Sequence, residues 1–111
     1  MSDTSDPPIE EADVADTSAA VEGGALLVDV REDFEWNAGH ARGAIHLPMM
    51  QVPARLDELP RDAPIYLICA TGNRSGRVAQ FLTGNGFSRP INVRGGTVAW
   101  QRAGLPIDRE E

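Results

Sequence analysis

Short apolar runs rich in strand-forming residues recur along the chain, separated by glycine, proline and polar breaks. Runs of this kind are typical of buried strands in a parallel sheet. The pattern predicts strands over residues 25–30, 44–47, 64–68 and 91–93. The run at 64–68 gives the clearest signal, because it leads directly into a loop that begins at Cys69.

The segments between these runs carry helical signals. Val78, Phe81 and Leu82 stand at helical spacing, and Pro53 and Pro60 bracket a short segment as its start and stop. We expect helices over residues 33–38, 54–59, 75–83 and 97–103. Strands that alternate with helices predict an α/β domain, with a small, mainly parallel central sheet and helices on both faces.

The N-terminal part of the chain is less clearly patterned. Residues 1–8 are polar, acidic and proline-bearing, which predicts a disordered acidic tail before a domain that spans 9–111. The stretch 9–22 is ambiguous: its start could form a short edge strand, and Asp16 could cap a brief Ala-rich helix that ends at Gly23 and Gly24.

Charge separates this N-terminal part from the rest. The chain has 111 residues, a mass of 12.0 kDa and a formal net charge of −7, so we expect one small domain and no nucleic acid partner. The first 24 residues contain seven acidic and no basic residues, whereas the remainder carries ten of each. The acidic excess therefore lies outside the part of the chain with the clearest pattern.

No apolar stretch is long enough to span a membrane, and the acidic start lacks the features of a secretory signal. The chain has one cysteine, which is compatible with a reducing compartment. We therefore expect a cytoplasmic protein with no membrane partner. The two histidines and the distant cysteine do not form a compact ligand set, so no metal and no cofactor are expected.

Cys69 lies where a buried strand gives way to a loop and then a helix. A lone cysteine is more often a buried structural residue, but the residues that follow change that expectation. Small and permissive residues over 70–73 can turn backbone N–H groups inward around the sulfur. The N-terminus of the next helix, together with Arg74 and Arg77, would favour the thiolate over the thiol.

The spacing C-x-x-G-x-R-S at residues 69–75 resembles the active-site loop of the rhodanese family of sulfurtransferases. DVRE at 29–32 and GHARGAIHLP at 39–48 look like the family's first signature segment, and GGTVAWQRAGLP at 95–106 looks like its C-terminal one. The strongest match covers residues 25–107, in the expected order, and implies a rhodanese-like fold.

The resemblance implies that Cys69 accepts a sulfane sulfur from a thiosulfate-type donor as a persulfide and passes it to cyanide or a thiol. Arg74 is the predicted contact for the donor's oxyanion, and Thr71 could donate a hydroxyl hydrogen bond. Inward N–H groups of the loop would stabilise the persulfide anion. The predicted substrate-binding residues are Ala70, Thr71, Gly72, Asn73, Arg74 and Ser75.

Other functions share this loop. A persulfide carrier or docking module, loaded by a partner enzyme in a sulfur relay, would use the same cysteine. Phosphatases and arsenate reductases of this fold are less compatible, because their loops place five residues between cysteine and arginine and this chain has four. Asp29 and Arg31 are expected to pair and brace neighbouring loops rather than contact substrate.

Overall fold

The computed structural model describes residues 8–109. Its strands are β1 (Glu10–Ala12), β2 (Leu26–Asp29), β3 (His40–Ala41), β4 (Ala44–His46), β5 (Pro64–Ile68), β6 (Arg89–Val93) and β7 (Ile107–Asp108). Its helices are α1 (Val14–Glu22), α2 (Asp33–Ala38), α3 (Asn73–Gly84) and α4 (Gly96–Arg102), and a 3-10 segment spans Met49–Glu58. The predicted tail at 1–8 lies outside the described residues except for Pro8.

Five strands form a parallel sheet in the order β1-β6-β5-β2-β4. Strand β5 lies at its centre, paired with β2 on one side and β6 on the other. A separate antiparallel pair joins β3 to β7. The predicted α/β class with a mainly parallel sheet is confirmed.

The core has two parts, one on each face of the sheet, because side chains alternate along each strand. In β2, Leu27 packs on one face with Trp100 of α4, whereas Val28 packs on the other with Val78 of α3. Helices α1 and α4 cover the first face, and α3 and the 3-10 segment cover the second. The predicted placement of helices on both faces is confirmed.

Residues 9–22 form both of the elements that the sequence left open. Strand β1 pairs with β6 at the edge of the sheet, and α1 follows directly. The expected cap was wrong, because Asp13 rather than Asp16 is the N-cap. The Asp13 carboxylate accepts a hydrogen bond from the Asp16 N–H at 2.8 Å. An aspartate just before the first helical residue satisfies the free N–H groups of the first turn.

The helix predicted at 54–59 was also wrong. The chain forms 3-10 turns from Met49 to Glu58 instead, with Pro53 inside the segment and a non-helical backbone at Arg55 (φ −126°, ψ 25°). Proline lacks an N–H group and cannot continue an α-helical hydrogen-bond pattern. The short turns still bury Val52 against the core.

A buried ion pair closes the end of β2. Asp29 is fully buried and Arg31 is 6% exposed. Arg31 donates to the Asp29 carboxylate from Nε at 3.0 Å and from Nη2 at 2.8 Å, and Nη2 also donates to the Gly39 carbonyl at 2.7 Å. The pair therefore ties β2 to the loop before β3, as the sequence predicted. Within residues 8–109, no helix has the length and apolar character that crossing a membrane requires.

Candidate active site

Cys69 is the first residue after the central strand β5, at the carboxyl edge of the sheet where ligand sites of open α/β folds lie. The residue is 1% exposed. Its carbonyl oxygen accepts hydrogen bonds from the Thr97 N–H at 2.8 Å and from the Thr97 hydroxyl at 3.0 Å. The start of α4 therefore fixes the backbone from which the loop begins.

The loop after Cys69 curls around the sulfur. Gly72 adopts a left-handed backbone (φ +109°), which favours glycine because it has no Cβ, and it precedes the first residue of α3. In this conformation the Gly72 N–H donates to Cys69 Sγ at 3.1 Å. The inward-facing N–H predicted from the small residues of this loop is present at Gly72.

Ser75 supplies a second group to the sulfur. Its Oγ lies 3.2 Å from Cys69 Sγ and 2.6 Å from Asn92 Oδ1, so the hydroxyl is placed to donate to either acceptor. The Asn92 amide group in turn donates to the Gly72 carbonyl at 3.1 Å and to Glu11 at 3.0 Å. Asn92 thus joins the loop to β6 and β1, and it orients the serine that contacts the sulfur.

Sequence reasoning missed Asn92. The residue is 3% exposed and stands between apolar neighbours in β6. A buried polar side chain needs a hydrogen-bond partner. An asparagine inside a predicted buried strand was therefore the available signal, although its partners could not be read from it.

The surroundings of Cys69 have opposing effects on its thiol. Burial raises the pKa of Cys69, whereas the hydrogen bond from the Ser75 hydroxyl and those from backbone N–H groups lower it. The backbone donors belong to Ser75, Gly72 and Thr71, and the net pKa of the thiol lies below its ordinary value. A thiolate is the nucleophilic form of cysteine, so the loop prepares Cys69 for attack.

Replacing Ser75 with alanine is expected to raise the pKa of Cys69, because a donor to the thiolate is lost while the burial remains. The rate of Cys69 alkylation by iodoacetamide at neutral pH should fall by about fivefold, and its pH dependence should shift to higher pH. Thr83→Ala is the matched control, since that hydroxyl lies further along the same helix and bonds the Ala79 carbonyl. An unchanged pH profile in Ser75→Ala would remove the serine from thiolate stabilisation.

Arg74 does not point a free guanidinium into the loop. Its Nη1 and Nη2 donate to the two carboxylate oxygens of Glu35 at 2.8 and 2.9 Å. The hydrogen bond from Arg74 holds the pKa of Glu35 at about 2, although partial burial opposes this shift. The predicted contact between Arg74 and a donor oxyanion remains a prediction, and such an anion would have to compete with Glu35.

Glu35 is a second residue that sequence reasoning missed. It lies in the first turn of α2, where its carboxylate also accepts the Glu32 N–H at 3.0 Å in a capping box. The spacing of Glu32 and Glu35 was a visible signal for the cap. Nothing in that spacing shows that the carboxylate also reaches Arg74.

The remaining predicted site residues lie in the same loop. Thr71 and Asn73 are exposed, Ala70 is half-buried, and the side chains of Thr71 and Asn73 make no hydrogen bond to residues 8–109. They are free to meet a ligand. The part of the chain that the structure describes holds no cluster of three or more metal-ligating side chains.

Two glycines bring α4 against the loop. Gly95 and Gly96 have left-handed backbones, with φ of +83° and +60°. A Cβ at Gly96 would lie 2.5 Å from the carbonyl oxygens of Cys69 and Ala70. The interpretation of this pair as a close-approach turn beside the active-site loop is confirmed.

Two surface grooves adjoin this region. One, of about 280 Å³, includes Ala70 of the loop, Glu35, and the exposed side chains of Phe34 and Val98. The other, of about 230 Å³, lies between the 3-10 segment and α3, and its walls include Met49, Met50, Val52, Arg77 and Phe81. Apolar side chains thus remain exposed near the cysteine.

The fold is an α/β domain with a parallel sheet, and a buried thiol of lowered pKa lies at the end of its central strand, where ligand sites of such folds are found. The family model described as a rhodanese-like domain matches residues 13–103. The chain belongs to this family, and the resemblance drawn from residues 69–75, 29–48 and 95–106 is confirmed.

Curated relatives include enzymes of sulfur transfer. A sulfurtransferase of Allochromatium vinosum is 42% identical over 82 residues, which cover 74% of this chain and 77% of the relative. A thiosulfate sulfurtransferase GlpE of Actinobacillus pleuropneumoniae is 39% identical over 85 residues, covering 77% and 79% of the two chains. These similarities support sulfurtransferase activity for a family member with one cysteine.

The fold also matches solved structures. A rhodanese-related protein from Thermoplasma volcanium superposes with a TM-score of 0.83 at 31% sequence identity. The alignment covers 91% of this chain and 99% of the other. The described elements therefore form a rhodanese-like fold.

Proposed function

We propose that this protein transfers a sulfane sulfur from a thiosulfate-type donor to cyanide or a thiol through a persulfide on Cys69. The observation that carries the proposal is the polar surrounding of the sulfur: the Gly72 N–H donates to Cys69 Sγ at 3.1 Å, and the Ser75 hydroxyl lies within donating distance at 3.2 Å. They favour the thiolate before the reaction, and the loop N–H groups would stabilise the persulfide anion after it.

The reaction needs only one cysteine and no added oxidant. The Cys69 thiolate attacks the outer sulfur of thiosulfate, the S–S bond of the donor breaks, and sulfite leaves with the bonding electron pair. Cyanide then attacks the outer sulfur of the Cys69 persulfide, which releases thiocyanate and restores the thiolate. Thr71 is exposed, and we propose that its hydroxyl and the loop N–H groups meet the donor, with Arg74 as the proposed contact for the donor's oxyanion.

The test is to incubate the protein with thiosulfate and to weigh the peptide that contains Cys69. The peptide should gain the mass of one sulfur atom, and cyanide should remove it as thiocyanate. A parallel assay with an aryl phosphate tests the phosphatase alternative. Hydrolysis of the phosphate without any sulfur uptake would overturn the proposal.

A second candidate is a persulfide carrier that docks on a partner protein in a sulfur relay. The exposed apolar side chains of the two grooves favour it, since Phe34 is 74% and Met50 is 79% exposed. An enzyme acting on free thiosulfate should form thiocyanate at about 1 s⁻¹ or faster. Negligible turnover together with efficient loading by a cysteine desulfurase would instead identify a carrier.

Either activity requires Cys69 to remain reduced between cycles, so we place it in the cytoplasm. The proposed partners are a small anionic sulfur donor and a thiol or cyanide acceptor. A sulfur-relay protein joins them only in the carrier case. Neither mechanism involves a nucleic acid or a membrane.

A further inference from the structure

The ion pair between Arg74 and Glu35 determines how much positive charge the loop offers to a donor. Arg74 is the only basic residue in the loop 70–75. Both of its terminal nitrogens bind Glu35. The Glu35 side chain is 20% exposed and that of Arg74 is 33% exposed, so the pair is partly shielded from water. A partly buried pair is screened less than a surface pair and keeps its effect in salt.

Glu35 is held in place independently of the loop. Its Oε1 accepts the Glu32 N–H in the capping box of α2. The pKa of Glu35 is about 2, because Arg74 binds the carboxylate. The group is therefore ionised throughout the neutral range and neutralises Arg74 in the free protein.

The neighbouring cations do not restore the missing charge. Arg31 is buried and bound to Asp29 and to the Gly39 carbonyl. Arg77 is exposed on α3 and forms no ion pair within residues 8–109, but water screens a charge in that position. To stabilise an anion, the loop therefore has only N–H and hydroxyl dipoles. These dipoles stabilise a single charge on one sulfur better than the two charges of thiosulfate.

We propose that Glu35 is a specificity-determining residue, which neutralises Arg74 and so makes Cys69 prefer an organic persulfide over the dianion thiosulfate. This inference rests on the proposed sulfur transfer and names its favoured donor class. In that reaction the Cys69 thiolate attacks the outer sulfur of R–S–SH. The donor S–S bond breaks, R–S⁻ leaves with the bonding electron pair, and the Cys69 sulfur gains one SH group to become a persulfide, so charge and electrons balance.

The inference predicts the effect of Glu35→Gln. Glutamine can still accept the Glu32 N–H, so the cap of α2 is kept, but Arg74 is left with its charge uncompensated. Arg74 interacts electrostatically with Cys69, so an additional unit of positive charge there should speed loading by the dianion thiosulfate about tenfold relative to loading by 2-hydroxyethyl persulfide. The measured quantity is the ratio of the two initial rates at which Cys69 gains one sulfur.

Two further variants separate charge from structure. Glu58→Gln removes the same charge from an exposed ion pair with Arg55 on the 3-10 segment, and its donor ratio should equal that of the wild type. The double variant Glu35→Gln, Arg74→Gln has a pair with no net charge, as in the wild type. Its ratio of thiosulfate loading to persulfide loading should therefore return to within about threefold of the wild-type ratio. A ratio that stays high in the double variant would overturn the proposal.

Protection by sulfate supplies a readout that does not depend on sulfur transfer. Sulfate has the charge of thiosulfate but cannot donate sulfur, and it should slow alkylation of Cys69 at lower concentrations in Glu35→Gln than in the wild type. An unchanged donor ratio with unchanged sulfate protection would refute the role of Glu35. Failure of the wild type to load from either donor would refute the proposed function instead, while sulfate protection would still decide the charge argument.

Discussion

Cys69→Ser is expected to eliminate sulfur uptake from thiosulfate, with a loss of at least about a thousandfold in the loading rate. A serine hydroxyl is far less acidic than a thiol and has no base beside it here, because two kinds of group hydrogen-bond the Cys69 side chain, backbone N–H groups and the Ser75 hydroxyl. Neither group accepts a proton readily at neutral pH. Mass measurement of the residue 69 peptide after incubation with thiosulfate is the direct assay.

The fold should tolerate this substitution, so that a loss of sulfur loading can be assigned to the missing thiol and not to unfolding. Serine is smaller than cysteine, and its oxygen can accept hydrogen bonds from the same donors that surround the sulfur. The thermal unfolding midpoint of the variant should therefore stay close to that of the wild type. Equal sulfur uptake by the variant would show that the sulfur is carried elsewhere and would remove Cys69 from the mechanism.

Gly96→Ala is expected to destabilise the fold by about 3 kcal/mol and to displace the active-site loop. The left-handed backbone at Gly96 (φ +60°) disfavours a Cβ, and that Cβ would lie 2.5 Å from the carbonyl oxygens of Cys69 and Ala70. Those carbonyls accept the Thr97 and Val98 N–H groups at 2.8 and 3.1 Å. The clash would therefore separate α4 from the loop that it holds.

Gly104→Ala is the matched control for this prediction. Gly104 also has a left-handed backbone (φ +72°), but a Cβ there would meet no atom within 4 Å. Replacing Gly104 with alanine should lower the free energy of unfolding by only about 1 kcal/mol, the cost of a Cβ on a left-handed backbone. Urea unfolding measures both costs, and sulfur loading of Cys69 should fall only in Gly96→Ala. Equal costs for the two variants would show that the close contact with the loop is unimportant.

The reactive loop could be predicted because its signals are local. A continuous apolar run predicts β5, and Cys69 with Gly72 follows within a few residues. The N-terminus of α3 was predicted two residues late, since the helix begins at Asn73. Gly72 ends the loop in a backbone conformation that glycine favours, and α3 begins at the next residue.

Elements that depend on distant partners were missed. Strands β3 and β7 have two residues each, too few to show any alternation, and they exist because they pair across the fold, His40 with Asp108 and Ala41 with Ile107. The 3-10 segment was mistaken for an α-helix because proline is compatible with the start of either. The observed turns bury Val52 against the core and place Pro53 inside the segment.

Some features of this protein follow from neighbouring residues, whereas the charge around Cys69 follows from tertiary contacts. The class of sheet, the position of the cysteine at the end of β5 and the glycine that turns an N–H toward the sulfur could all be predicted from the chain, because each follows from neighbouring residues. The charge around that sulfur, in contrast, depends on contacts between distant parts of the chain. Arg74 meets Glu35 from 39 residues away, and Ser75 meets Asn92 from 17 residues away. Such pairs form when α2 and β6 pack beside the loop, and electrostatic partners at that separation leave no periodic trace along the chain.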